Sequence, residues 1–424
     1  MKTAFFAYSQ GCPRSAVDAA LLFRYFDENG WRTDCRVEDA DLVLVNTCGV
    51  HQEAENLGLA AIEALHRKRR PDSTLVVLGC LAGINPEGFV DRFQAVALPP
   101  VRVHELDGII QAAVPLKDLE DVNLVQDAVR TARKNLSTVV DGNGTRRERM
   151  TQALGAARAM ALLKHTLRPG ARTSPTYSLR VAWGCMGECS YCAIRHAAGP
   201  LRSKPLEKVL AELDAGLSRG YRAFELVAGD VGCYGQDAGT SIAVLLREIF
   251  ARPDAFSLMI HDLNPQWLIR YQDEVIPILT ANSARIRMLV LPMQSGCDRL
   301  LELMRRDYTS KQVVECMRRL RQPLEPPLNI VTHVLVGFPG ETDDDFAQTL
   351  RLLRAAEFDR VDVYHYTHRP NTDSLRLPDP VSREVAERRA DAIAEEFDAR
   401  YSLWPRRPPE RSLPPQLRVE KRAS

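Results

Sequence analysis

Ser178-Leu179-Arg180-Val181-Ala182-Trp183-Gly184-Cys185-Met186-Gly187-Glu188-Cys189-Ser190-Tyr191-Cys192 is the stretch whose reading decides the fold. Its first six residues have the length and apolar content of a buried strand. Three cysteines then crowd into a loop one residue past the strand's end. In parallel α/β sheets, loops at that edge carry the chemistry. Three thiolates in one short loop can ligate three irons of a [4Fe–4S] cube and leave the fourth iron without a protein ligand. Zinc is the competing reading. It prefers four ligands, commonly from paired C-x-x-C units, and the spacing Cys185-x-x-x-Cys189-x-x-Cys192 offers three.

Downstream, strand-like and helix-like stretches alternate for about two hundred residues. Strands are expected at 178–183, 222–228, 256–261, 286–291, 329–336 and 360–366, with helices such as 206–218, 242–250, 265–280 and 344–356 between them. Six βα units predict a partial (β/α)6 barrel, open where eight units would close. Glycine-bearing turns follow three of these strands: Glu225 to Gly229-Asp230, Gln294-Ser295-Gly296, and Gly337 to Thr342. One such turn is weak evidence; three on the rim that bears the cysteine loop suggest a bound cofactor. A charged helix is expected at 382–403, and residues 405–424 read as a basic, proline-rich mobile tail.

Upstream, apolar runs at 3–8, 42–46 and 75–79 alternate with helical stretches at 16–28 and 51–68. This pattern predicts an α/β fold, a small doubly wound domain. Cys12, Cys48 and Cys80 each follow one of those strands. Free cysteines are often only small buried hydrophobes. Repetition of the same strand-end position points instead to a second cluster site on the ligand-binding edge of the sheet. The stretch 116–175 is basic and contains the turn signal Asp141-Gly142-Asn143-Gly144, so it is expected to be a linker or insertion with one amphipathic helix at 147–167.

Between residues 122 and 180 lie eleven Lys/Arg against Asp127, Asp141 and Glu148, either a solvated surface or a substrate-facing patch. The whole chain carries a net charge of +1, which makes no case for bulk nucleic-acid binding. Ten cysteines in 424 residues point to metal or catalytic work in a reducing compartment. No apolar run approaches the ~20 residues of a membrane span, and the apolar start is shorter than a secretory signal. No membrane partner and a cytoplasmic location are therefore expected.

With these residues in view, the chain resembles the methylthiotransferase family of radical S-adenosylmethionine (SAM) enzymes, which act on tRNA adenosines or a ribosomal-protein aspartate. The resemblance rests on Gly11-Cys12, Val45-Asn46-Thr47-Cys48-Gly49-Val50 and Gly79-Cys80 in the first part. In the second it rests on the cysteine triplet with Tyr191, Gly229-Asp230-Val231-Gly232, Tyr234 to Asp237, Gln294-Ser295-Gly296, Met304 to Tyr308, Gly337 to Thr342 and Tyr366 to Pro370. It implies two [4Fe–4S] clusters, on Cys12, Cys48 and Cys80 and on Cys185, Cys189 and Cys192. It also implies SAM as methyl donor and radical source, contacted by Tyr191, Glu225, Gly229, Asp230, Gln294, Ser295, Arg306 and Gly337. An external reductant such as flavodoxin or ferredoxin is implied as well. The expected domains are an auxiliary-cluster domain at 1–115, a basic linker at 116–175, the radical SAM partial barrel at 176–375, and a C-terminal helix and tail at 376–424.

The pattern departs from the family in places. Too little chain follows the expected last helix for the usual TRAM barrel. His333 stands where an aspartate is usual, as a solvated or core histidine or as a replacement for an acid that orients substrate. Ala198 stands where an arginine is usual, and Cys297 where a serine is common. Cys35, Cys233, Cys297 and Cys316 have no evident partner; Cys233 and Cys297 lie on rim loops, where a substrate-side role stays open. Cys189 to Gly199 is most similar to the branch acting on threonylcarbamoyladenosine in tRNA, so tRNA is the expected substrate. The alternatives are a peptide or protein side chain in a modification pathway and, last, a non-catalytic iron–sulfur protein.

Overall fold

All five residues of β1 (Ala4–Tyr8) and all six of β2 (Leu42–Thr47) are buried, as apolar runs without alternation require of strands covered on both faces. The computed structural model describes residues 2–121, 125–140, 176–322 and 326–401. With β3 (Thr74–Gly79) and β4 (Ala95–Leu98), the first two strands form a parallel sheet in the order β1-β2-β3-β4. One face, with Phe5, Val43 and Val77, packs on Ile62 and Leu65 of helix Gln52–Lys68. The other, with Phe6, Leu44 and Val76, packs on Leu22, Tyr25 and Phe26 of helix Pro13–Glu28. Helices thus cover both faces, as expected, although the strands follow chain order without reversal. The short β4 was not anticipated, being only Ala-Val-Ala-Leu before Pro99.

The expected linker is, over Val125–Val140, a helix of this first domain. Ala132 and Val139 are buried, and Asn135 donates its amide to the Phe6 carbonyl of β1 at 2.9 Å, covering an otherwise open sheet edge. The turn expected at 141–144 and the helix at 147–167 lie outside the described residues, as does the tail at 405–424.

The second sheet has seven parallel strands in the order β13-β12-β11-β10-β9-β8-β5. They are β5 (Thr176–Arg180), β8 (Ala223–Val227), β9 (Ser257–Ile260), β10 (Ile286–Gln294), β11 (Ile330–Val336), β12 (Arg360–His365) and β13 (Ala399–Tyr401). A small antiparallel pair, β6 (Ala182–Trp183) and β7 (Arg202–Ser203), brackets the cysteine loop. Three expectations need correction. The strand expected at 178–183 breaks at Val181 into β5 and β6. The helix expected at 265–280 breaks at Tyr271 into Pro265–Arg270 and Gln272–Ala281. The helix expected over 382–403 ends at Glu396, where extended Phe397 packs onto the barrel core and the chain returns as the seventh strand, β13.

The two domains interlock. Arg180 of β5 is ion-paired to Asp18 at 2.6 Å and to Asp121 at 3.4 Å. Lys204 joins Asp121 at 3.3 Å and also pairs with Glu212. Arg369, buried, pairs with Glu55 of the first domain, which also accepts from Asn85 at 2.8 Å. Among the described residues no helix is long and apolar enough to cross a membrane.

Candidate active site between two cysteine triads

Sheet register delivers the first three cysteines. Cys48 directly follows β2 and Cys80 directly follows β3, while Cys12 ends the loop after β1 and caps helix Pro13–Glu28. Gly79 makes this possible, because at φ +89° it turns the chain so that the Cys80 N–H reaches the Thr47 carbonyl at 3.1 Å. The three thiols are near enough to interact electrostatically. Burial pushes Cys48 and Cys80 up, so loading a metal here must release protons.

The second triad sits on the loop after β6. Ser190 pins this loop, its N–H donating to Met304 O at 3.1 Å and its hydroxyl to Leu303 O at 2.7 Å. The Gly187 N–H points at Cys185 Sγ at 3.2 Å. Arg306 is buried, donates to Pro292 O at 2.7 Å and to the Tyr308 hydroxyl at 3.1 Å, and lies 3.4 Å from Cys189 Sγ. Burial raises the Cys192 thiol to about 11. A hydrogen bond with Cys233 instead holds Cys185 below its ordinary value, against burial.

Arg14, in the first turn after Cys12, is hydrogen-bonded to Cys12 and close enough for its charge to reach thiols of both triads. Its charge acts on Cys12, Cys48 and Cys80 of the first domain and on Cys185 and Asp262 of the barrel. The six thiols of the two triads are exposed or half-buried, whereas Cys233, Cys297 and Cys316 are buried. Soft, accessible thiols in threes, with backbone N–H groups and guanidiniums near their sulfurs, fit iron–sulfur cubes. Among the described residues no three His, Cys, Asp or Glu side chains converge as ligands of a single ion do; a cube's thiolates bind separate irons and need no such convergence.

The expected cofactor contacts divide into two groups. Tyr191, Gly229, Asp230 and Arg306 border the second triad. A Cβ on Gly229 would stand 2.4 Å from Gly184 O and 3.3 Å from Cys185 Cβ, so only glycine lets the end of β8 pass under the loop. Asp230 accepts from Gly232 N, Asn264 N and Trp267 Nε1 at 2.9, 3.2 and 2.8 Å, and burial raises it to about 6. Glu225 lies deeper, bonded to Ser178 at 2.5 Å and to His261 at 3.1 Å; burial pushes its carboxyl up, but His261 and Ser178 bring it below its ordinary value.

Ser295 and Gly337 make their contacts with the helical layer, while Phe338 beside Gly337 packs edge-on to Tyr191 of the cysteine loop at 6.4 Å. The β10 register shifts between Leu291 and Gln294, and Gln294 adopts φ +70°. Ser295 therefore turns outward, accepting from the Cys297 N–H at 3.1 Å and facing Thr349 Oγ1 at 3.3 Å. Gly337 packs against Ala386, with its N–H on Glu341 at 2.6 Å. Cys297 likewise faces the helical layer, its thiol on Asp345 at 2.9 Å. Cys233, partnerless in the sequence, directs its thiol to the Asp230 carbonyl at 3.1 Å and lies close enough to Cys185 to shift it. Sequence reasoning did not single out Arg14, although its position two residues past Cys12 was the available signal.

The Radical SAM superfamily profile matches residues 181–353 and that of Uncharacterized protein family UPF0004 matches residues 4–99. The chain is 30% identical over 399 residues to the ribosomal protein uS12 methylthiotransferase RimO of Desulfotalea psychrophila, covering 92% of this chain and 81% of that protein. It is also 30% identical over 362 residues to the probable threonylcarbamoyladenosine tRNA methylthiotransferase of Pyrococcus abyssi, covering 85% and 76%. Among solved structures, the radical SAM methyltransferase TsrM from Kitasatospora setae shares the fold, with a TM-score of 0.59 at 15% identity over 88% of this chain and 75% of that one. With one triad in each matched region, the chain belongs to the radical SAM methylthiotransferases, enzymes that carry two [4Fe–4S] clusters and use SAM.

Proposed function

We propose that this methylthiotransferase acts on an adenosine of tRNA, with Cys185, Cys189 and Cys192 holding one cluster and Cys12, Cys48 and Cys80 the other. The observation that supports the two-site reading is that a cysteine triad follows strands of each domain, with the charge of Arg14 acting on thiols of both. When bound, the barrel cluster with SAM supplies the hydrogen-abstracting radical, and the auxiliary cluster supplies the sulfur of the thiomethyl group. Arg306 and Cys233 hold and polarise Cys189 and Cys185, Gly229 leaves room beneath the loop, and the buried Arg180 and Arg369 pairs fix the two sites relative to one another. An external one-electron donor such as flavodoxin or ferredoxin completes the system, and a cytoplasmic location suits these partners.

Two features support tRNA over protein. The loop from Cys189 to Gly199 resembles the threonylcarbamoyladenosine branch, and the helix Val125–Val140 brings Arg133 over the Tyr8 ring, near Cys12. The similarity to a RimO protein favours the second reading, a ribosomal-protein side chain. Anaerobic reconstitution with SAM and reductant, offering unmodified tRNA and ribosomal protein uS12 in parallel, decides between them. The expected result is a methylthioadenosine nucleoside from tRNA. A thiomethylated peptide with untouched tRNA would sink the tRNA reading.

A further inference from the structure

The barrel's inner wall carries polar groups that neither triad accounts for. Along β11, Ile330 and Val334 pack outward into the helical layer, while His333 belongs to the inner face with Asp362 of β12, its register partner. His333 Nδ1 lies 3.9 Å from Asp262, and its Nε2 lies 3.9 Å from Asp362. Both distances exceed a hydrogen bond, and among the described residues neither ring nitrogen has a hydrogen-bond partner. Tyr364 stands edge-on at 5.1 Å and closes one side.

The two carboxylates differ. Asp362 is held bidentately by Arg360 at 3.0 and 3.1 Å. Asp262 is about half exposed, and it sits at φ +49°, a conformation that a side chain rarely adopts. Arg14 faces Asp262 from the first domain while also facing Cys12 and Cys80. Asp262 follows β9 and its carbonyl accepts the Val231 N–H at 3.2 Å, one residue past Asp230, so the His333–Asp262 pair lies on the barrel rim that carries the Cys185 loop.

We propose that His333 and Asp262 are the contacts that read the substrate's reacting group, and that the group is a planar edge with adjacent hydrogen-bond donor and acceptor, as on a purine base. Burial pushes His333 down despite the two aspartates, so the ring is neutral and offers one donor and one acceptor. Asp262 adds an acceptor. A base edge bearing N–H groups finds matching acceptors in the Asp262 carboxylate and the unprotonated ring nitrogen. This inference rests on the reading of this rim as the place where a tRNA adenosine reacts.

The test uses the full chain loaded with iron, and compares His333→Leu, His333→Gln and Asp262→Asn with the wild type on unmodified tRNA. Expected for H333L is a loss of about tenfold or more in methylthiolation kcat/KM, with iron content and tRNA-independent SAM cleavage unchanged. H333Q, which keeps a donor and an acceptor, should recover most of it, and D262N should lose as H333L does. An H333L enzyme as active as wild type overturns the contact alone. Loss of iron or of SAM cleavage in H333L and H333Q alike assigns His333 to the fold and also overturns it. A wild type silent on tRNA but active on uS12 overturns the tRNA reading and the base edge together.

Discussion

A Cβ placed on Gly79 would sit 2.2 Å from the Thr47 carbonyl oxygen, on a backbone already at φ +89°. Gly79→Ala should therefore cost at least about 1–2 kcal/mol in backbone strain and displace Cys80 from its partners. The expected outcome is a folded protein whose reconstituted iron falls from about eight to about four, read by iron assay beside a thermal melt. An unchanged iron count would mean that the strand accommodates the methyl group. Residues whose chemistry demands a particular type were legible in the sequence. Six cysteines at strand ends and in a tight triplet stand out, because thiolates are the usual ligands of the proposed clusters. Residues that act through distance were not. Cys233 meets Cys185 across 48 positions, and nothing in the chain around Ser295 signals that a left-handed Gln294 turns its hydroxyl outward.

At the scale of elements, strands and helices with a single period were readable, and those whose ends are set by tertiary contacts were not. The charged pattern after Ser382 continues past Glu396, yet Phe397 is drawn into the barrel core and Ala399–Tyr401 pairs with β12. Burial of a pair also decides what it contributes. Arg180, 5% exposed, joins β5 to the first domain through Asp18 and Asp121. Arg180→Met strands buried Asp121 beside Lys204 alone and should cost about 3–5 kcal/mol, seen as a lower urea midpoint. The more exposed Arg354–Glu396 pair is the control, where Arg354→Ala should cost about 0–1 kcal/mol.

A pH effect belongs to the helix Asp343–Ala356. Burial pushes the Asp345 carboxyl up, but hydrogen bonds from Arg299, Cys297 and Thr342 outweigh it and hold the group well below the usual carboxylate range. With the native value depressed, the unfolded chain binds the proton more readily. The contribution is thus full above the ordinary carboxylate value of about 3.9 and fades as pH falls toward the native one. Asp345→Asn should lower stability at neutral pH and flatten the acid limb of an unfolding-against-pH curve; a parallel curve would refute the assignment.

For the whole molecule, two parallel sheets with cysteines after their strands were visible in the sequence, since strand alternation and cysteine placement repeat within each half. How the halves meet was not, because Arg14, Arg180 and Arg369 read as ordinary surface arginines until their partners are seen. The proposed tRNA substrate carries a prediction at this scale. Arg133, over the Tyr8 ring at the end of β1, and exposed Lys134 lie on the helix Val125–Val140. Replacing both with alanine should weaken tRNA binding, and the slope of log affinity against log salt should become shallower by about one unit for each phosphate that is no longer neutralised. An identical slope would remove this helix from the interface.

Gly83, three residues past Cys80, has no room even for a methyl group, because Ala197, five residues past Cys192, lies 2.7 Å from where its Cβ would be. Ile84, Ala193 and Ala197 form one small apolar cluster there, with Cys80 against it. Each cysteine loop is therefore the other's mould. A chimaera joining the first hundred residues of this chain to a relative's barrel would meet at a seam of bare backbone and single methyl groups. One added carbon on either side would wedge the halves apart, so the pair has to be inherited, exchanged or redesigned as a unit.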